Sequence, residues 1–75
     1  MNKQELKELA KRFRKAEIKK YEWSIKYIKS ELKTGRHIIA CLGSAGFTFL
    51  DDINRLVEYA RSIGDSNFAD LITKK

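Results

Sequence analysis

Residues 2–33 read NKQELKELAKRFRKAEIKKYEWSIKYIKSELK, and the way this stretch folds decides the architecture of the whole chain. It contains neither Gly nor Pro. Asn2 is suited to cap the free backbone N–H groups at its start, and Glu5 stands three residues on to reach back. Met1 and Leu6 are spaced to close over that turn as a hydrophobic staple. The stop signal is Thr34-Gly35, with Gly35 suited to the left-handed position after a last turn. Glu8–Arg12 and Glu22–Lys26 are four apart in the favoured acid-first order, each pair adding a few tenths of a kcal/mol. Together these signals predict one long basic helix, about 48 Å at 1.5 Å per residue. The alternative is a break near Ala16–Ile18 that gives two shorter helices, and the missing breaker residue speaks for continuity.

The apolar pattern within the stretch changes direction. Leu6, Leu9, Ala10, Phe13 and Ala16 share one stripe at helical spacing. Ile18, Tyr21, Ile25, Ile28 and Leu32 share another, rotated by roughly 100° at the usual helical turn per residue. Trp23 and Tyr27 fall back near the first direction. A continuous helix with two such faces implies two partners, its own C-terminal half and a second copy of the chain.

Seventy-five residues make a single small helical domain, 1–75, near the lower size at which a core alone holds a fold. There is one cysteine, so no internal disulfide is expected to help. Forty further residues in short segments cannot cover so long a helix, and a homo-oligomer is therefore expected. The N-terminus leads into an amphipathic pattern and not into a secretory apolar run. The longest apolar stretch, Ile38 to Leu50, is too short to span a bilayer. A cytoplasmic protein with no membrane partner is the expectation.

The charge is divided unevenly. Of the net +6, residues 1–36 carry +7 and residues 37–75 carry −1. Lys7, Lys11, Lys15, Lys26, Lys29 and Lys33 fall within one strip of the expected helix, roughly opposite the first apolar stripe.

Downstream, 37–49 is ambiguous. His37 to Leu42 is an apolar run, Gly43-Ser44-Ala45-Gly46 a turn, and Phe47-Thr48-Phe49 alternates. It is compatible with a short helix and a loop, or with a small β-hairpin that would make the fold α+β. An isolated hairpin is marginal without packing, so the helix is preferred. Thr48 with Asp51 then marks a helix start, and Leu50, Ile53, Leu56, Val57, Ala60 and Ile63 form an amphipathic stripe ended by Gly64. Asp65 or Ser66 caps a last helix with Phe68, Leu71 and Ile72 facing inward, and Lys74 and Lys75 at its end. The fold class is thus mainly α: one long N-terminal helix with two or three shorter helices packed on it.

Chemistry-bearing groups are sparse. His37 and Cys41 are four apart, yet a structural zinc site needs four N or S ligands, and this is the chain's only His and only Cys. A Cys–His nucleophile needs a third group to orient the base, and none is evident. The Gly43–Gly46 segment lacks the Lys-Ser/Thr ending of a P-loop and the G-x-G-x-x-G spacing. No helix-turn-helix is evident, since the best second helix begins with acids. No catalytic residue, metal or cofactor is expected. The function expected is stoichiometric protein–protein contact, as an inhibitor, adaptor or small subunit. Tyr21, Trp23, Tyr27 and Ile28 are the candidate apolar anchor, and the lysine strip steers toward an acidic partner. The alternative is nucleic-acid binding or transcriptional regulation through the same strip, since lysines attract phosphates and exposed aromatics stack on unpaired bases. Lysine outnumbers arginine eleven to five, which disfavours bidentate base reading.

Overall fold

The long helix does not run through. In the computed structural model, which describes residues 3–73, it is divided into α1 (Lys3–Arg12) and α2 (Lys15–Leu32). Three shorter helices follow: α3 (Ile38–Ser44), α4 (Leu50–Ser62) and α5 (Ser66–Thr73). There is no strand among the described residues, so 37–49 is not a hairpin. The expected start signal at Met1 and Asn2, the Glu5 and Leu6 side chains that complete it, and the terminal Lys74 and Lys75 lie outside what is described.

The break falls at Phe13-Arg14, a few residues before the alternative position near Ala16–Ile18. Its cause is the change of apolar direction already visible in the sequence. On a straight rod, Leu9 and Phe13 point away from the direction of Tyr21, Ile25 and Ile28. With Arg14 extended (φ −70°, ψ 153°), both sets enter one core, and Phe13 is 2% exposed. Interrupting a helix forgoes hydrogen bonds worth about 0.5–1.5 kcal/mol each. Burying Phe13 and Leu9 returns about 1.5–3 kcal/mol apiece, so burial wins. The elbow also recovers part of its bonding. Glu17 Oε1 accepts the Arg14 backbone N–H at 3.2 Å, and Arg55 Nη2 donates to the Arg12 carbonyl at 3.2 Å.

A 48 Å rod would not fit in any case, because the longest dimension of the molecule is 36 Å. The two stripes therefore serve one core, and the uncovered helix that called for a second copy is absent.

Four aromatic rings join the elements. Phe13 meets Tyr21 and Tyr59 edge to face, at 5.9 and 5.6 Å between ring centres. Tyr21 also packs on Tyr59 at 5.4 Å and on Phe47 at 6.1 Å. Aromatic pairs of this kind contribute about 0.5–1.5 kcal/mol beyond their burial. Leu56, Ala60, Phe68 and Ala69 complete the centre from α4 and α5.

Phe47 reaches the core through the end of α3. Gly46 adopts φ +92°, a conformation that costs other residues a steric clash. The Gly46 N–H donates to Gly43 O at 3.0 Å, and the Phe47 N–H to Leu42 O at 2.9 Å. This is the Schellman pairing, and it turns the Phe47 side chain back over Leu42. Gly43–Gly46 is thus a helix terminus. Gly35 likewise stands at φ +90° after α2, as its position in the sequence implies.

The start of α4 differs from expectation, and that of α5 agrees with it. Phe49, not Thr48, is the N-cap residue of α4, and it offers no side-chain hydrogen bond. The acids Asp51 and Asp52 in the first turn carry the dipole compensation alone. Asp65 caps α5 by accepting the Phe68 N–H at Oδ1, 3.3 Å. Its other oxygen takes Lys29 Nζ at 2.6 Å, which ties α5 to α2.

Candidate functional site

Two of the apolar residues expected inside, Leu50 and Leu71, are not there, and Phe49 is exposed with them. Leu50, which opens the α4 stripe, is 71% exposed, Leu71 of α5 is 50% exposed, and Phe49 is 71% exposed. Ile39 of α3 joins them at 60%. The reason is geometric. α3, α4 and α5 converge on Leu42, Phe47 and Val57 from three sides, and a groove of about 560 Å³ is left between them. Ile39 and Leu42 line it from α3, Leu50, Ile53 and Val57 from α4, and Ile72 from α5. Phe47 and Thr48 line it from the α3–α4 connection, and Asn54 and Thr73 are polar members of the lining. Phe49 and Leu71 are each next in sequence to a lining residue.

The anchor residues expected from the sequence are divided by the fold. Tyr21 and Ile28 are core residues, 5% and 0% exposed, and cannot contact a partner. Their stripe is the one the α1–α2 elbow turns inward. Trp23 is 59% exposed and lies on the outward face of α2, its ring stacked on Tyr27 at 5.1 Å and 8°. Tyr27 is half-buried.

The lysines are likewise redistributed. The elbow cuts the expected strip, leaving Lys7 and Lys11 on α1, Lys15, Lys26 and Lys29 on α2, and Lys33 as the C-cap residue of α2. All six are exposed, but Lys29 is engaged with Asp65 and lies over the Phe68 ring at 5.9 Å. It belongs to the α2–α5 contact and not to an open docking strip.

Electrostatic pairing concentrates at the elbow. Glu17 Oε2 accepts from Arg55 Nη2 at 3.0 Å and from the Tyr21 hydroxyl at 3.2 Å. The Arg55 hydrogen bond, helped by the Arg14 N–H, holds the Glu17 carboxyl below the usual glutamate range. Burial, reinforced by the Glu22 carboxylate beside it, pushes the Tyr59 hydroxyl up to about 12. It donates to Glu22 Oε1 at 3.4 Å.

His37 uses its ring Nδ1 to accept the Ile39 N–H at 3.2 Å, as N-cap of α3, and Cys41 is wholly buried. Among the described residues no three His, Cys, Asp or Glu side chains gather where a metal ion would fit. No described helix is long and apolar enough to cross a membrane.

Fold and surface together define a small all-helical protein with an open apolar groove and a separate basic helix face. Comparison with protein-family models, with curated proteins and with solved structures gives no match.

The groove was legible only in part. The alternation of Phe47-Thr48-Phe49 would put both rings on one face of a strand, but the segment is not a strand, and one ring goes to the core and the other to solvent. The sequence does not say which of α4's apolar residues lie beyond the reach of α3 and α5.

Proposed function

We propose that this is a small, non-catalytic binding protein acting by stoichiometric protein–protein contact, as an inhibitor, adaptor or regulatory subunit, in the cytoplasm. The α3–α4–α5 groove is its docking face. The observation that carries this is the exposure of Ile39 and Leu50, both of which line the groove, with the exposed Phe49 and Leu71 next in sequence to lining residues. Isolated exposed apolar residues are ordinary, whereas a cluster around a groove marks an interaction surface. An amphipathic helix laid into an apolar groove, reading i, i+3 and i+4 anchors, suits the dimensions. The net charge of +6 speeds approach to an acidic partner. In the absence of a partner, the same face supports self-association, and it takes over that role from the long helix.

Capture from cell extract with two baits tests the assignment. Leu50→Asp and Trp23→Ala both alter exposed side chains, so each should keep the helicity of the wild type. A protein retained by Trp23→Ala and lost by Leu50→Asp supports the groove. One retained by Leu50→Asp overturns it. Light scattering reads self-association on the same pair: a wild-type mass above the 8.7 kDa of one chain that returns to it in Leu50→Asp.

A further inference from the structure

The outward face of α2 shares no residue with the groove. Trp23 stands near its middle, with Lys19 one turn before it and Lys26 and Ser30 one and two turns after it. All are exposed. An indole is a large apolar surface whose usual place is a core or an interface, and here it is left 59% open with lysines on both sides. One ring face is taken by Tyr27, stacked in parallel at 5.1 Å between centres, and this holds the indole in a single orientation. Lys19 also borders a mainly apolar hollow of about 420 Å³ at the α1–α2 elbow, lined by Ala10, Phe13 and Ile18, by Arg14 and Lys15, and by the acidic Glu22, whose carboxylate is engaged by the Tyr59 hydroxyl. Trp23 thus stands between Lys19 and Lys26, with Lys15 and Arg14 beyond Lys19 at the elbow.

We propose that this face binds single-stranded nucleic acid, with an unpaired base stacking on the free face of Trp23 and Lys19, Lys15 and Lys26 taking the flanking phosphates. The chemistry selects this ligand over other polyanions. Lysines alone would attract any acidic surface, but an exposed, pre-oriented ring adds a partner only where the ligand has flat π-faces between its charges. A duplex keeps its bases stacked internally and offers none at its side. Lysine, a point charge without the bidentate fork of arginine, suits backbone contacts that carry no base preference. The surface stands apart from the docking groove and does not depend on it.

Trp23 is the only tryptophan of the chain, so its emission reports the contact directly. Titration of the full chain with oligothymidylate is expected to quench that emission to saturation. Binding read by anisotropy of the labelled oligonucleotide should weaken with salt at a log–log slope of about −2, from about three neutralised phosphates at about −0.7 each. Trp23→Ala should lower the affinity roughly fivefold or more, the loss of one stacked base, while Trp23→Phe recovers part of it. Lys19→Glu with Lys26→Glu should flatten the salt slope. Thermal unfolding of Trp23→Ala, unchanged because the side chain is exposed, separates this from a loss of fold. Equal affinity of wild type and Trp23→Ala for the oligonucleotide would overturn the proposal. So would heparin or duplex DNA displacing the oligonucleotide at equal charge as well as oligothymidylate does, which would mark the face as one for acidic surfaces in general.

Discussion

The guanidinium of Arg55 lies over the ring of Phe13, 4.5 Å from its centre, and from there it bonds to both sides of the break between α1 and α2. It reaches the Arg12 carbonyl at the end of α1 and the Glu17 carboxylate in the first turn of α2. One α4 side chain thus closes an elbow that contains no Gly or Pro.

Replacing Arg55 by Met should keep the apolar packing of its stem and remove its hydrogen bonds to the Arg12 carbonyl and Glu17 and its charge over Phe13. The Arg55–Glu17 side chains are 40% and 30% exposed, so the ion pair itself contributes only about 0.2–1 kcal/mol. The cation–π contact adds about 0.5–1 kcal/mol. A loss of about 1–2 kcal/mol in urea unfolding is therefore expected, with a non-zero coupling to Glu17→Gln in a double-mutant cycle. Strict additivity of the two changes would show that the elbow is held by packing alone.

The same pair sets an acid limb. Glu17 has its folded pKa below the usual value of 4.5, so the unfolded chain binds the proton first. The stabilisation is present above about pH 4.5 and disappears as pH falls through the lower, folded value. Urea midpoints of the wild type should decline more steeply below pH 4.5 than those of Glu17→Gln. Gln retains an acceptor for the Arg14 N–H but has no proton to take up. Parallel acid limbs would remove Glu17 from the account.

Tyr59 acts at the other end of the pH scale. Its folded pKa of about 12 exceeds the ordinary 10, so the unfolded chain loses its proton first. Stability is complete below pH 10 and falls as pH rises toward 12. Tyr59→Phe should flatten that alkaline decline, and tyrosinate absorbance of the wild type should show a late-titrating ring. Its titration at the ordinary value would contradict the burial of this hydroxyl against Glu22.

Phe47 and Phe49, two residues apart, should behave oppositely. Phe47→Ala empties a core position and is expected to cost about 3–5 kcal/mol, enough to unfold so small a domain. Phe49→Ala should change stability by no more than about 0.5 kcal/mol while weakening whatever the groove binds. Chemical denaturation and binding measured on the same samples would expose any mixing of the two roles.

Much of the secondary structure could be read from the residues, because it rests on local rules. Gly35 and Gly64 close helices where glycine was expected to do so, whereas α3 runs through Gly43 and closes at Gly46, and the stripes of α2 and most of α4 face inward as their periods require. Asp65 caps α5 because an acid before a helix has its backbone partner three residues away. The rotation between the stripes of 6–16 and 18–32 was also in the sequence. Its consequence was not, since a rotated stripe fits equally well a rod with two partners or a bent helix with one.

Choosing between them took partners more than forty residues away. The elbow exists because Phe13 packs on Tyr59 and because Arg55 bonds to the Arg12 carbonyl, and neither contact has a local signature. The same holds for the surface. Sequence fixes which side chains are apolar and which face of its own helix each one occupies. Only the packing of α3, α4 and α5 leaves Leu50 in solvent and Tyr21 in the core, because burial depends on which elements arrive to cover a face.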